Sequence, residues 1–208
     1  DRCYESALQK AVRSLEMAGR SLLWEKPEWN EVDLWKELPL TPSDLRLWSL
    51  MAALRRGATP LELSYQTSID PWFTYSLYRI HRMEEVFLAV DSVDRKLMLE
   101  AKRLGFSDQQ LAALGLGEGL PQRIRELRQG WGIVPVYKMV DTCAAEFDAA
   151  TPYYYSTYEQ ENEALPLPGP KAVVLGSGPI RIGQGIEFDY CSVHAAWALQ
   201  QEGMKSIM

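Results

Sequence analysis

Four short stretches punctuate the middle of this 208-residue chain, and they constrain its fold more tightly than any other feature. Thr41-Pro42-Ser43-Asp44 and Thr59-Pro60-Leu61-Glu62 each offer a hydroxyl as a helix cap, a proline at the first helical position and an acid at the third. Asp70-Pro71 repeats the cap and proline, and Ser107-Asp108-Gln109-Gln110 is a capping box without proline. In each, a side-chain oxygen or a missing proline N–H relieves the unpaired donors of a first helical turn. So many closely spaced starts predict a compact α-domain of short helices.

The apolar patterns between the starts agree. Phe73, Leu77, Ile80, Met83, Phe87 and Val90 recur at three- and four-residue steps, predicting the longest helix over 71–90. Leu45, Leu47, Trp48, Leu50, Met51 and Leu54 are apolar around most of a helix, which places that helix centrally. Shorter helices are predicted over 93–104, 107–116 and 120–129, and an amphipathic one over 3–16 carries Ala7, Leu8, Ala11, Val12 and Leu15. The irregular stretch 19–40 holds Trp24, Trp29 and Trp35, expected to pack onto the helical core rather than to stack a base or sugar. His81 lies off the main stripe and reads as a solvated or core-edge histidine. Arg123, Arg125 and Arg128, with Glu118 and Glu126 nearby, read as a solvated face.

Residues 134–140 are extended by composition and lead to Cys143 and Glu146. With no histidine near to serve as base, Cys143 is expected to be a buried small apolar side chain rather than a nucleophile. Tyr153, Tyr154 and Tyr155 are expected to pack rather than form a stacking platform. The acidic, then proline-rich run 159–170 reads as a linker. Beyond it, Ala172 to Leu175 form a short β-branched run that turns into Gly176 and Gly178. A helix-prone stretch, 191–201, ends at Gly203, and 205–208 reads as a second strand. This is the β-loop-α-β opening of a doubly wound sheet.

The plain dinucleotide fingerprint is not met, because Arg181 stands where its third glycine belongs. A free-standing phosphate- or nucleotide-binding module using the loop 176–185 is the alternative function, and it needs a completed sheet. The net charge of -6 argues against bulk electrostatic binding to nucleic acid or an anionic membrane. Cys3, Cys143 and Cys191 lack metal-ligand spacing and fit a reducing cytoplasm. No apolar run approaches the ~18 residues of a membrane span. With Asp1 first and a strand-helix-strand unit last, both ends are expected to be cut from something longer.

A longer motif carries a family resemblance. Gly176, Gly178, Pro179, Arg181, Ile182, Gly183, Gln184, Gly185, Glu187, Phe188, Asp189 and Tyr190 together resemble the loop that opens each half of the carbamoyl-phosphate synthase large subunit. Thr67, Ile69, Asp70, Trp72 and Phe73 resemble a motif of that family's helical oligomerisation domain. The stretch 136–158 is similar to the segment joining that domain to the second half, and 4–13 resembles the helix closing the first ATP-grasp domain.

The resemblance implies three parts: 1–18 as the tail of the first ATP-grasp half, 19–165 as the helical oligomerisation domain, and 166–208 as the start of the second pre-ATP-grasp domain. The expected fold class is therefore mainly α, with a compact helical domain followed by the opening of a truncated doubly wound α/β domain. The implied full protein makes carbamoyl phosphate from bicarbonate, glutamine-derived ammonia and two ATP, for pyrimidine and arginine biosynthesis. It would use ATP with Mg or Mn and K, none of them bound by this fragment. Its partners would be the rest of the large subunit, the glutaminase small subunit and further copies of itself, the last met through the apolar surface of helices such as Leu45 to Leu54 and Phe73 to Val90. No catalytic residue carries over, and this chain alone is expected to be inactive. Arg181, Gly183, Gln184, Gly185 and Glu187 resemble part of the interior passage that hands carbamate between active sites. Gly185 has no side chain to obstruct such a passage. Glu187 would orient groups along it, or would satisfy donors at the following helix's N-terminus.

Overall fold

The computed structural model describes residues 1–15, 17, 20–144, 146–147, 153–176 and 187–208, with the backbone alone for 187–189. The chain divides into two compact units, Asp1–Glu161 and Asn162–Met208. The fold is mainly helical, as expected.

Helices of the first unit are α1 (Tyr4–Ser14), α2 (Arg46–Arg55), α3 (Pro60–Thr67), α4 (Pro71–Ala89), α5 (Arg95–Arg103), α6 (Asp108–Ala113) and α7 (Pro121–Gly130). Three of the four start signals work as read. Thr59 accepts from the Glu62 N–H at 3.2 Å while Glu62 accepts from the Thr59 N–H at 2.9 Å, closing a capping box on α3. Ser107 and Gln110 do the same for α6, and Asp70 accepts from the Trp72 N–H at 2.8 Å to start α4. The fourth signal is displaced. Residues 41–45 form turns, and α2 begins at Arg46 after Leu45, without a side-chain cap. Backbone carbonyls supply the acceptors there, Ser43 for the Arg46 N–H and Leu45 for the Trp48 N–H. Asp94, which caps α5 through the Leu97 N–H at 2.7 Å, is a start without a proline or a box partner to mark it.

α2 is the centre of the unit. Seven consecutive residues, Trp48, Ser49, Leu50, Met51, Ala52, Ala53 and Leu54, are buried all round the helix. Leu63 of α3, Leu77, Ile80 and Phe87 of α4, Met98 of α5, Leu111 of α6 and Ile124 of α7 join them in one core. Because α2 is enclosed, it offers no self-association surface, and the expectation of one on 45–54 is corrected. The tryptophans of 19–40 pack as expected: Trp29 is buried, and Trp24 and Trp35 lie against the core. Edge-to-face contacts from Trp24 to Trp29 and Trp48 join that segment to α2.

A two-stranded antiparallel ribbon closes the unit. β1 (Val136–Val140) pairs with β2 (Tyr153–Thr157) in a register that sets Lys138 opposite Tyr155 and Met139 opposite Tyr154. Period-two alternation sends Lys138 and Thr157 inward, where both are buried, and leaves Tyr137, Met139 and Tyr154 exposed. Tyr153 and Tyr154 are thus exposed, contrary to expectation, because one lies at the ribbon's end and the other on its outer face. Tyr155, on the inner face, lies beneath the Lys10 ammonium, 5.7 Å from its ring centre. Cys143 is half-buried rather than enclosed, in the turn after β1.

In the second unit β3 (Lys171–Val173) pairs in parallel with β4 (Lys205–Ile207), joined through α8 (Glu187–Gln201). Gly203 turns the chain out of α8 at φ +73°. The strand is shorter than 172–175, and Leu175 is 89% exposed, since a two-stranded sheet has too few neighbours to cover its apolar residues.

Candidate functional site

Of the passage residues expected from sequence, Arg181, Gly183, Gln184 and Gly185 lie outside the described residues, and Glu187 is described only as the first backbone position of α8. The ends of that loop are visible. An added Cβ on Gly176 would lie 3.6 Å from the Ser192 hydroxyl oxygen, so the chain leaving β3 passes close to the early turns of α8. Along α8, His194 sits between two aromatic rings, its centre 4.1 Å from Tyr190 and 5.1 Å from Trp197. All three are exposed.

The densest polar constellation lies elsewhere, and its residue spacing in sequence gave no signal. Lys102 is 5% exposed, yet its ammonium is enclosed by acceptors: it donates to the Phe106 carbonyl at 2.7 Å and to Asp108 at 2.8 Å. Arg128, also buried, donates from Nε to both Asp108 oxygens at 3.0 Å and from a terminal nitrogen to the Ile133 carbonyl at 3.1 Å. The Tyr158 ring lies near both cations, 5.1 Å from the Lys102 ammonium and 5.8 Å from the Arg128 guanidinium. Burial pulls the Lys102 ammonium below its ordinary value despite Asp108. Burial alone would raise the Asp108 carboxyl, but hydrogen bonds and charge from Lys102, then Arg128, hold it below the usual carboxylate range. Arg128 therefore belongs to the interior, which corrects its placement on a solvated face with Arg123 and Arg125.

A second, half-buried cluster ties 20–40 to the helices. Arg55 donates to Glu84 at 2.8 and 2.9 Å, to Glu25 at 2.9 Å and to the Leu22 carbonyl at 2.8 Å. Arg56 donates to the Val32 and Trp29 carbonyls at 2.7 and 2.8 Å. His81 is 7% exposed, at the core edge beside Glu84 and Glu85. A cavity of about 270 Å³ lies among Lys10, Arg13, Lys102, Asp108 and Tyr158. Its cations already have partners: Lys10 pairs with Asp1, and Arg13 donates to the Gly105 carbonyl at 2.8 Å. These groups hold helices together. Among the described residues no three His, Cys, Asp or Glu side chains gather as metal ligands.

The helical unit and the β-α-β unit have counterparts in the order found here. The family model of the carbamoyl-phosphate synthetase large chain oligomerisation domain matches residues 1–132. The chain belongs to the carbamoyl-phosphate synthetase large chain family. The model of the carbamoyl phosphate synthase preATP-grasp domain matches residues 169–208. Over all 208 residues the chain is 54% identical to the carbamoyl phosphate synthase large chain of Thermomicrobium roseum and covers 19% of that protein. It is 48% identical to the large chains of Streptomyces avermitilis and Clavibacter michiganensis, again over the whole chain and 18% and 19% of theirs. It thus spans about a fifth of the length of the curated large chains it matches. The two charge clusters fall inside the oligomerisation match, apart from Ile133 and Tyr158, which follow it in the chain. No helix among the described residues is long and apolar enough to cross a membrane.

Proposed function

We propose that this chain is the assembly segment of a glutamine-dependent carbamoyl-phosphate synthase large subunit, acting through self-association of its helical unit and inactive by itself. The observation that carries the reading is the helical unit itself, closed around α2 and matched over 1–132 to an oligomerisation domain. The complete protein would be a cytoplasmic ATP-dependent ligase. It would join bicarbonate and ammonia from a glutaminase small subunit at the expense of two ATP, with Mg or Mn and K. The loop Arg181, Gly183, Gln184, Gly185 and Glu187 would form part of the carbamate passage between its active sites.

A competition experiment tests the assembly role. Added in excess to the intact synthase, this chain should exchange into its self-association contact and lower the enzyme's mass in solution. An intact enzyme of unchanged mass would contradict the reading. The passage is tested separately by Gly185→Leu in the intact large subunit, which should uncouple the partial reactions while each ATPase step continues. Unchanged coupling would remove the passage assignment.

A further inference from the structure

The face that α4 turns to solvent is not random in spacing. Trp72, Tyr75, Arg79, Arg82 and Val86 follow one another at steps of three, four, three and four residues. At 3.6 residues per turn they fall within an arc of about 80° and run about 21 Å along the helix. Trp72 is 56% exposed, Tyr75 45%, and the side chains of Arg79 and Arg82 57% and 56%, while Val86 is half-buried. The opposite side of α4, with Thr74, Leu77, Ile80, His81, Glu84 and Phe87, is buried in the unit. Alternating steps of three and four are the spacing by which one helix packs along another. The outward stripe has that spacing, is flanked at Trp72 and Arg79 by Tyr4 and Glu5 of α1 and is otherwise open to solvent, and it is aromatic at its N-terminal half and cationic at its C-terminal half.

That division selects the partner and its direction. We infer that this stripe is the self-association contact, formed by α4 pairing antiparallel with α4 of a second copy across a twofold axis near Leu77. Antiparallel pairing places residues whose numbers sum to 154 opposite each other. Trp72 then faces Arg82 of the other copy, and Tyr75 faces Arg79, so a guanidinium meets an aromatic ring at four places over the interface. A parallel pairing would set Arg79 against Arg79 and Arg82 against Arg82, which repel. The stripe is also anchored. Tyr4 packs edge-on against Trp72 at 5.2 Å, Glu5 holds Arg79, and Glu85 holds Arg82, so its side chains are ordered before a partner arrives. The inference rests on the self-association reading and adds the surface and the direction.

Two measurements on the 208-residue chain test it. Trp72→Ala with Tyr75→Ala, and separately Arg82→Glu, should each weaken the dimer at least tenfold by light scattering, with the circular dichroism of the wild type. In a background with Cys3, Cys143 and Cys191 changed to serine, Trp72→Cys chains mixed with Arg82→Cys chains should form a mixed disulfide. Trp72→Cys chains alone should not cross-link. Wild-type dimerisation in the folded stripe variants, or ready cross-linking of Trp72→Cys to itself, would overturn the stripe while self-association stands. A wild-type chain that stays monomeric would remove self-association and the stripe with it.

Discussion

Arg128 lies along Asp108 with its Nε 3.0 Å from both carboxylate oxygens, while the Lys102 ammonium reaches one of them at 2.8 Å. One carboxylate on α6 thus neutralises two buried cations, from α5 and α7. The Ile133 and Phe106 carbonyls each take one further donor, so the three helices are tied at one point.

Removing that carboxylate should unfold the unit easily. Asp108→Ala leaves Lys102 and Arg128 buried without a counter-charge, a change that typically costs about 3–5 kcal/mol. Urea denaturation followed by circular dichroism checks this. A loss below about 1 kcal/mol would mean that water already solvates the pair.

The same contact sets an acid limit. The folded Asp108 carboxyl titrates below its unfolded counterpart, whose value is about 3.9. Its contribution is therefore fully present above the unfolded value and is lost as pH falls through the folded one. Urea unfolding at pH 7 and at stepwise lower pH should show the gap between wild type and Asp108→Asn narrowing on acidification below about pH 4. A gap constant with pH would contradict the assignment.

Two threonines that look alike in sequence should differ. Thr59→Ala removes an observed capping box and should cost about 1 kcal/mol. Thr41→Ala should cost almost nothing, since α2 starts at Arg46 without a side-chain cap. Thermal melts of both variants decide it.

Two glycines should also differ. Both Gly105 and Gly57 have positive φ, +94° and +86°. An added Cβ at Gly105 would lie 2.7 Å from the Ser6 Cα, a backbone atom that cannot swing away, whereas at Gly57 it meets nothing within 4 Å. Gly57→Ala should therefore cost about 1–2 kcal/mol for its backbone alone. Gly105→Ala should cost about 1–3 kcal/mol more, as α1 is forced from α5. Equal melting temperatures would contradict the close approach.

What sequence could reveal follows from how local each signal is. The caps at Thr59, Asp70 and Ser107, the long helix α4 and the all-round apolar α2 depend on neighbours within a turn or two, so residue spacing exposes them. The Thr41 signal failed because adjacent backbone carbonyls satisfied the donors first. Arg128 and the Lys102–Asp108 pair were illegible because their partners come from three helices, and a buried arginine has the same spelling as a solvated one. The outward Tyr153 and Tyr154 depend on the register of β1 with β2, which composition does not fix. At the candidate site, the residues of 181–187 were nominated through family likeness alone. The parallel β3–α8–β4 order around them was readable from the glycines and the β-branched run.

The assembly role stands or falls most directly on the molar mass of the 208-residue chain, measured by light scattering across a hundredfold range of concentration. Self-association requires a mass that rises to twice the 23.7 kDa of one chain and holds there at high concentration. A mass that remains 23.7 kDa throughout would contradict it.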